Sequence, residues 1–385
     1  MLPPRLPTEL WLEIFRWATL TPSTEYYNTT TYQPFQAILT DARDESLAVK
    51  NALSRVCRMW NQLTKDLLYE DLCIPNKESI GKIRELLHGD PVLSRTVQRI
   101  YLPYSSSVTE AKATYVADVN VIIRECSDLR TLVRPLSYKN ALYASPFEFA
   151  AEACPPLPTL KRLDWWHHNE ASRTGGINSL MDVLRAAPNV EYLSLGGQLW
   201  LSFLDCPSIE LPMLTTLRLR RVNILFVQQI CKWSLPSLRT VIVDTIITHY
   251  PLLDLFWETF GAQLRTVELG RSLKFLTDET AIHNVLTGCP NLEELNYYVQ
   301  FTQKPYPPRE PHASLAVVGL NCQRPDMPVN FWLHLEDHFR AWSHSSYPAL
   351  KQIVLYDSPK TELDERPLQD ATYTVRGRGC KVTVA

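Results

Sequence analysis

One phrase returns along most of this chain: an apolar residue, two polar ones, then apolar, any, apolar. It reads Val97-Gln98-Arg99-Ile100-Tyr101-Leu102 and comes back at Leu129–Leu132, Leu160–Trp165, Val190–Leu195, Leu214–Leu219, Leu238–Val243, Leu264–Leu269, Leu292–Tyr297 and Leu350–Leu355, with a weaker copy at Leu315–Leu320. Alternation at the end of each copy predicts a short strand with one side buried. Stretches 116–126, 147–154, 177–187, 225–233, 252–260 and 281–288, lying between copies, read as helices. A strand and helix of this size cannot bury their own apolar faces, so each pair must stack on the next. Parallel strands joined by helical returns wind in the right-handed sense. The expectation is therefore an α/β chain: an irregular solenoid with a curved parallel sheet. A length of 385 residues, more than one ordinary core holds, agrees with an extended array.

Steps of about 23 to 35 residues between copies fall within and slightly beyond the range of leucine-rich repeats. Cys126, Cys154, Cys231 and Cys289 stand three to seven residues ahead of a copy. That placement resembles cysteine-bearing leucine-rich repeats and reads physically as small buried residues at helix-to-strand corners. In each copy, the residue between the last two apolar positions and the one just after them should point away from the core. Down the array these are Tyr101, Asp164, Trp166, Ser194, Arg218, Arg220, Ile242, Asp244, Glu268, Asn296, Tyr298, Val354 and Tyr356. Tyr101, Asp164, Trp166, Arg218, Arg220, Asp244, Glu268, Tyr298 and Tyr356 are the candidate substrate contacts. Exposed aromatics are enriched in interfaces, and the mixed charge suits a protein or peptide over a polyanion. Prolines 305, 307, 308 and 311 predict a protruding loop over 302–313, and the polar stretch 357–372 predicts another. Cys380–Val384 reads as a closing strand.

The first 75 residues are built differently. Leu6-Pro7-Thr8-Glu9-Leu10-Trp11-Leu12-Glu13-Ile14-Phe15 reads as a helix with Thr8 at its N-cap and apolar positions 10, 14 and 17 on one stripe. Leu53, Val56, Cys57 and Trp60 share one face of a second helical segment, and Leu63–Tyr69 is a third amphipathic run. Three short helices make a poor core by themselves, so their exposed faces read as an interface. Between them lies a Thr-, Pro- and Tyr-rich insertion at 19–45.

In order, Leu6-Pro7, Glu9-Leu10, Ile14-Phe15, Leu53, Val56-Cys57-Arg58, Trp60 and Leu68-Tyr69 resemble an F-box, over about 70 of the 385 residues. The long insertion departs from the usual short link and resembles the expanded F-box families of mushroom-forming fungi. The resemblance implies three parts: an all-α F-box at 1–75, a linker helix at 76–95 and a leucine-rich-repeat solenoid at 96–385. It also implies a function: a substrate-recognition subunit that docks on the Skp adaptor, and through it a cullin, while the solenoid holds a protein target for ubiquitin transfer. Leu6, Pro7, Leu10, Ile14, Phe15, Leu53, Val56, Trp60 and Leu67 are the expected adaptor contacts. The alternative is a leucine-rich-repeat scaffold on the same adaptor, without a degradation role.

Composition narrows the partners. A net charge of −2 argues against a nucleic-acid groove or an anionic membrane surface. No run of about 18 apolar residues could span a bilayer. Nine cysteines without a CxxC pair indicate neither a disulfide framework nor a zinc ribbon, and suit a reducing cytoplasmic or nuclear compartment. The N-terminus lacks the basic and apolar run of a secretory signal. His334 and His338 stand at i, i+4, but Leu335 occupies the place where a zinc hydrolase needs glutamate. Neither a phosphate-cradling glycine loop nor a GxSxG elbow is present. The sequence thus predicts no enzyme activity, no cofactor and no metal site.

Overall fold

The alternating end of each phrase forms a strand. A computed structural model describes residues 6–21, 26–36, 46–74, 77–102, 118–134, 153–167, 176–197, 208–222, 224–246, 251–271, 280–308, 310–323, 331–357, 372–373 and 375–385. Among these, the strands follow one another in chain order as a twelve-strand sheet that does not close, parallel in the described pairings. The fold is mixed α/β. Most of the expected helix at 147–154, and nearly all of the expected loop at 357–372, lie outside the described residues.

Two compact units divide the chain. The first comprises Met1–Thr31, Ala37–Leu193 and Ile209–Met213, and the second Tyr32–Gln36, Ser194–Ser208 and Leu214–Ala385.

In the first unit, helices α1 (Thr8–Thr19), α2 (Leu47–Ser54) and α3 (Arg58–Glu70) pack around Trp11, Phe15 and Trp60, whose ring centroids lie 4.8–5.9 Å apart. Two sequence expectations are corrected here. Thr8 is the first residue of α1, not its cap; Pro7 takes the cap position, with its fixed φ suited to a helix entry, and no side chain caps α1. The segment from Leu53 to Trp60 is not one helix. It stops at Ser54, turns through Arg55 and Val56, and restarts at Arg58, with the Cys57 sulfur accepting from the Trp60 N–H.

Beyond α3 comes β1 (Asp71–Cys73), a strand without a copy of the phrase, since only Leu72 and Ile74 alternate there. It pairs with β2 (Arg99–Tyr101) after helices α4 (Lys77–Gly89) and α5 (Pro91–Thr96), where the linker helix was expected. Lys50 of α2 reaches Asp71 at 3.1 Å; Arg99 also grips that carboxylate and lies 3.2 Å from Glu70. Burial pushes Asp71 up, yet the hydrogen bonds and charges of Arg99 and Lys50 outweigh it and hold the carboxyl below its ordinary range. This cluster ties the helix trio to the first strands. The unit continues with α6 (Asp118–Glu125), β3 (Thr131–Arg134), β4 (Arg162–His167), α7 (Leu180–Ala186) and the start of β5 (Tyr192–Gly197).

The second unit runs β6 (Thr216–Val222), α8 (Ile224–Ile230), β7 (Thr240–Ile246), α9 (Pro251–Phe260), β8 (Thr266–Leu269), α10 (Ala281–Gly288), β9 (Glu294–Tyr298), β10 (Val317–Asn321), α11 (Phe331–Trp342), β11 (Gln352–Tyr356) and β12 (Lys381–Val384).

Register explains the phrase. Ile100, Leu132 and Leu163 align across the first unit, and Leu217, Val241, Val267, Leu295, Val318 and Ile353 across the second, all fully buried. Each such side chain contributes about 1.5–3 kcal/mol on leaving water. Ahead of most strands one carbonyl accepts from two successive N–H groups of the next repeat. Gln98 serves Arg130 and Thr131, Arg239 serves Arg265 and Thr266, and Arg265 serves Glu293 and Glu294. Asn189 and Asn291 add side-chain donors to Pro158 O and Ala262 O one repeat back. The corner is therefore the joint that couples neighbouring repeats, which is why polar residues recur there. Cys126 and Cys289 are buried at these corners while Cys154 and Cys231 are half-buried.

Candidate binding face

Alternate residues of a strand point to opposite sides of the sheet, so the side opposite the leucines is the place to look for a binding face. The sequence expectation was that this side lies open. In fact Tyr101, Asp164, Trp166, Ser194, Arg218, Arg220, Ile242, Glu268, Asn296 and Tyr298 are buried, and only Asp244, Val354 and Tyr356 retain intermediate exposure. At several of these positions the cover comes from the N-terminal insertion, where residues 26–36 lie against the strands.

Within the first unit, a helical turn at 26–28 stacks Tyr27 on Tyr101, ring centroids 5.3 Å apart, in a buried cluster with Tyr26 and Val133. Thr131 Oγ1 donates to Tyr27 O at 3.1 Å. The guanidinium of Arg162 lies 4.1 Å from the Tyr26 and Tyr192 ring centroids. Its Nε donates to Asp164 at 2.7 Å, while Nη1 donates to Tyr26 O at 2.5 Å and Thr29 O at 2.7 Å. A fully buried arginine is tolerable only with this degree of pairing.

Within the second unit, the Tyr32 hydroxyl donates to Glu268 Oε2 at 2.6 Å and accepts from Asn296 Nδ2 at 2.7 Å. The Phe35 N–H donates to the same Glu268 oxygen at 2.8 Å. Phe35 then places its ring edge-on between Tyr298 and Tyr356, with centroids 5.0 and 4.9 Å away. Arg271 closes over Tyr298 at 4.9 Å. Burial pushes the Glu268 carboxyl up to about 7; the charge of Arg218 and the hydrogen bonds from Tyr32 and Phe35 oppose that rise, and Asp244 adds to it. Arg218 makes a two-pronged pair with Asp244 at 2.6 and 2.9 Å. Arg218 and Arg220 are buried, while Arg221 beside them is exposed, at a bulge with φ +49°.

The structure thus brings Glu268, Tyr298 and Tyr356 together, with Asp244 and Arg218 beside Glu268, and separately pairs Asp164 with Arg162. Sequence reasoning missed Tyr26, Tyr27, Tyr32, Phe35 and Arg162 as parts of this face. The available signal was aromatic density, four rings within ten residues of an otherwise polar insertion.

The expected adaptor contacts divide by burial. Leu6, Pro7, Leu10, Ile14 and Val56 are exposed, Leu53 and Trp60 are half-buried, and Phe15 and Leu67 sit inside the trio. Trp17, 69% exposed, extends the stripe of Leu10 and Ile14.

Of the two histidines, His338 is buried. Its Nδ1 lies 2.8 Å from the Tyr297 hydroxyl, which accepts from Trp342 Nε1, and its Nε2 is 3.3 Å from His334 Nε2. Burial, then the neighbouring His334, hold His338 well below its ordinary pKa. Among the described residues no group of three or more His, Cys, Asp or Glu is placed to hold a metal ion, and no helix is long and apolar enough to cross a membrane. Burial pushes the Cys126, Cys154 and Cys289 thiols up to about 12, so these sulfurs stay protonated and weakly nucleophilic near neutral pH. Comparison with protein-family models gives no match, and comparison with curated proteins gives none either.

Proposed function

We propose that this chain is a substrate-recognition subunit of a Skp–cullin–F-box type ubiquitin ligase. Its N-terminal helices would dock on the Skp adaptor, and its leucine-rich-repeat solenoid would bind a protein target. The observation that carries this reading is the exposed apolar stripe of the helix trio. Leu6, Leu10, Ile14, Trp17, Val56 and Met59 are each more than 40% exposed, and four of the six belong to the ordered F-box-like set. Six large apolar side chains left exposed on one small helical unit suit an interface. The corner carbonyls and aligned leucines support the repeat assignment. In this role the chain supplies no bond-making group of its own. It raises the local concentration of a target near the conjugating enzyme, so binding geometry is its whole contribution.

The test is co-purification with the Skp adaptor. Pro7→Ala together with Leu10→Ala should abolish adaptor capture while leaving the melting transition of the strand array in place. Undiminished capture by a folded double variant overturns the docking assignment.

A further inference from the structure

The strand face of the second unit is already occupied by part of the same chain. Residues 32–36 belong to that unit, although they lie in the N-terminal insertion. Their contacts resemble those of a bound peptide: one hydroxyl to a buried carboxylate, one backbone N–H to the same oxygen, and one ring held between two others. Such contacts show what chemistry the face accepts.

Three further observations distinguish this segment from an ordinary piece of core. Phe35 makes both the N–H and the ring contact from a left-handed backbone, φ +58°, a conformation unfavourable for an L-residue with a bulky side chain. Asn296 donates to Tyr32 and to Glu294, yet its Oδ1 is buried and has no hydrogen-bond partner among the described residues. Glu268 is 1% exposed, a carboxylate kept from water under the segment. The Phe35 backbone and the dry Glu268 carboxylate cost free energy while the segment is seated, and each is relieved or re-met when it leaves. Aromatic side chains and backbone groups hold it there. No disulfide does, and the described cysteines are free.

We propose that residues 32–36 are a displaceable occupant of a peptide site formed by Glu268, Asn296, Tyr298 and Tyr356. The ligand that replaces them is a protein segment carrying a tyrosine followed three residues later by an aromatic residue at a turn. This rests on the reading of the array as the target-binding part and names the class of target. The Tyr32 hydroxyl selects for a phenol over a plain ring, because Glu268 and Asn296 would otherwise lose a shared partner. The Tyr298–Tyr356 slot accepts the second aromatic, and the N–H at that residue sets the turn. While seated, the cis segment competes at the high effective concentration of a tethered ligand, so the closed chain binds such targets weakly.

The experiment uses the full chain with Tyr32→Ala and Phe35→Ala, and a fluorescently labelled peptide of sequence Thr-Thr-Tyr-Gln-Pro-Phe-Gln, matching residues 30–36. Binding is read by anisotropy, and folding by thermal melting. The double variant should melt cooperatively and bind the peptide saturably, at least tenfold tighter than the unsubstituted chain. A peptide with alanine in place of both aromatics should not bind. The milder Tyr32→Phe chain should show an intermediate gain. A folded double variant that does not bind overturns the proposal. So does equal binding by both chains, or loss of the cooperative transition in the double variant, since a removable occupant must leave a folded seat. Adaptor capture by the same preparations is scored separately, so failure of the docking reading and failure of the peptide site are told apart.

Discussion

Replacing Glu268 by glutamine should make the protein more stable above neutral pH and change it little in acid. The carboxyl ordinarily titrates near 4.5 and in place near 7. In that window the folded chain keeps a proton that the unfolded chain has lost. Stability contributed by the group is thus fully present below about 4.5, falls as pH rises, and levels off above about 7. The gap between 4.5 and about 7, at about 1.4 kcal/mol per pH unit, corresponds to about 3 kcal/mol. Glutamine keeps an oxygen for the Tyr32 hydroxyl and the Phe35 N–H but cannot ionise, so it escapes this loss. Buried His338 works in the opposite direction: held neutral, it costs stability as pH falls through its ordinary value of 6.5. Because His338 is present in both proteins, the difference between them isolates Glu268. The assay is urea unfolding of the two chains at pH 5, 6, 7 and 8. The variant's advantage should grow from about 1 kcal/mol at pH 5 to about 3 kcal/mol at pH 8, with most of the rise complete by pH 7. A flat difference, or one that grows toward acid, would refute the assignment of a buried, desolvated carboxylate beneath residues 32–36.

Two further perturbations probe the scaffold. Asp71→Asn strips the buried Lys50 and Arg99 of their shared counter-charge and should cost roughly 3–5 kcal/mol in denaturant unfolding; a loss below 1 kcal/mol would mean that the cluster does not anchor the helix trio. Gly270→Ala should lower thermal stability by roughly 1–3 kcal/mol, since an added Cβ would lie 2.5 Å from the Asp244 Cα; an unchanged melting temperature would show that the two backbones are not held so close.

Much of the array was legible because its signal is local. Each copy of the phrase carries its own alternation, and Leu217, Val241, Val267 and Leu295 fall into register without help from distant sequence. The direction of the side chains was legible too: Glu268 and Tyr298 do point away from the leucine core. Their burial was not legible, because the covering residues lie more than 230 positions away and show neither helical nor strand periodicity. The break between α2 and α3 was hidden for a related reason. Leu53, Val56, Cys57 and Trp60 keep helical spacing through the turn, so periodicity alone could not reveal that Cys57 caps a new helix. β1 was missed because three residues give too short an alternation to register.

The hydrogen bond between Tyr32 and Glu268 spans 236 residues, whereas neighbouring strands are linked across a few tens. Strand stacking is therefore the low-separation part of folding, and seating of residues 32–36 is its long chord, formed after both ends exist. During synthesis at about 5–20 residues per second, Tyr32 and Phe35 would leave the ribosome on the order of ten to fifty seconds before Glu268 is made. For that interval the aromatic segment has no seat, and any chaperone or ligand that recognises exposed aromatics has first access to it. The order of the chain, with the occupant first and its seat later, places closure of this face after Glu268, Tyr298 and Tyr356 have all been made.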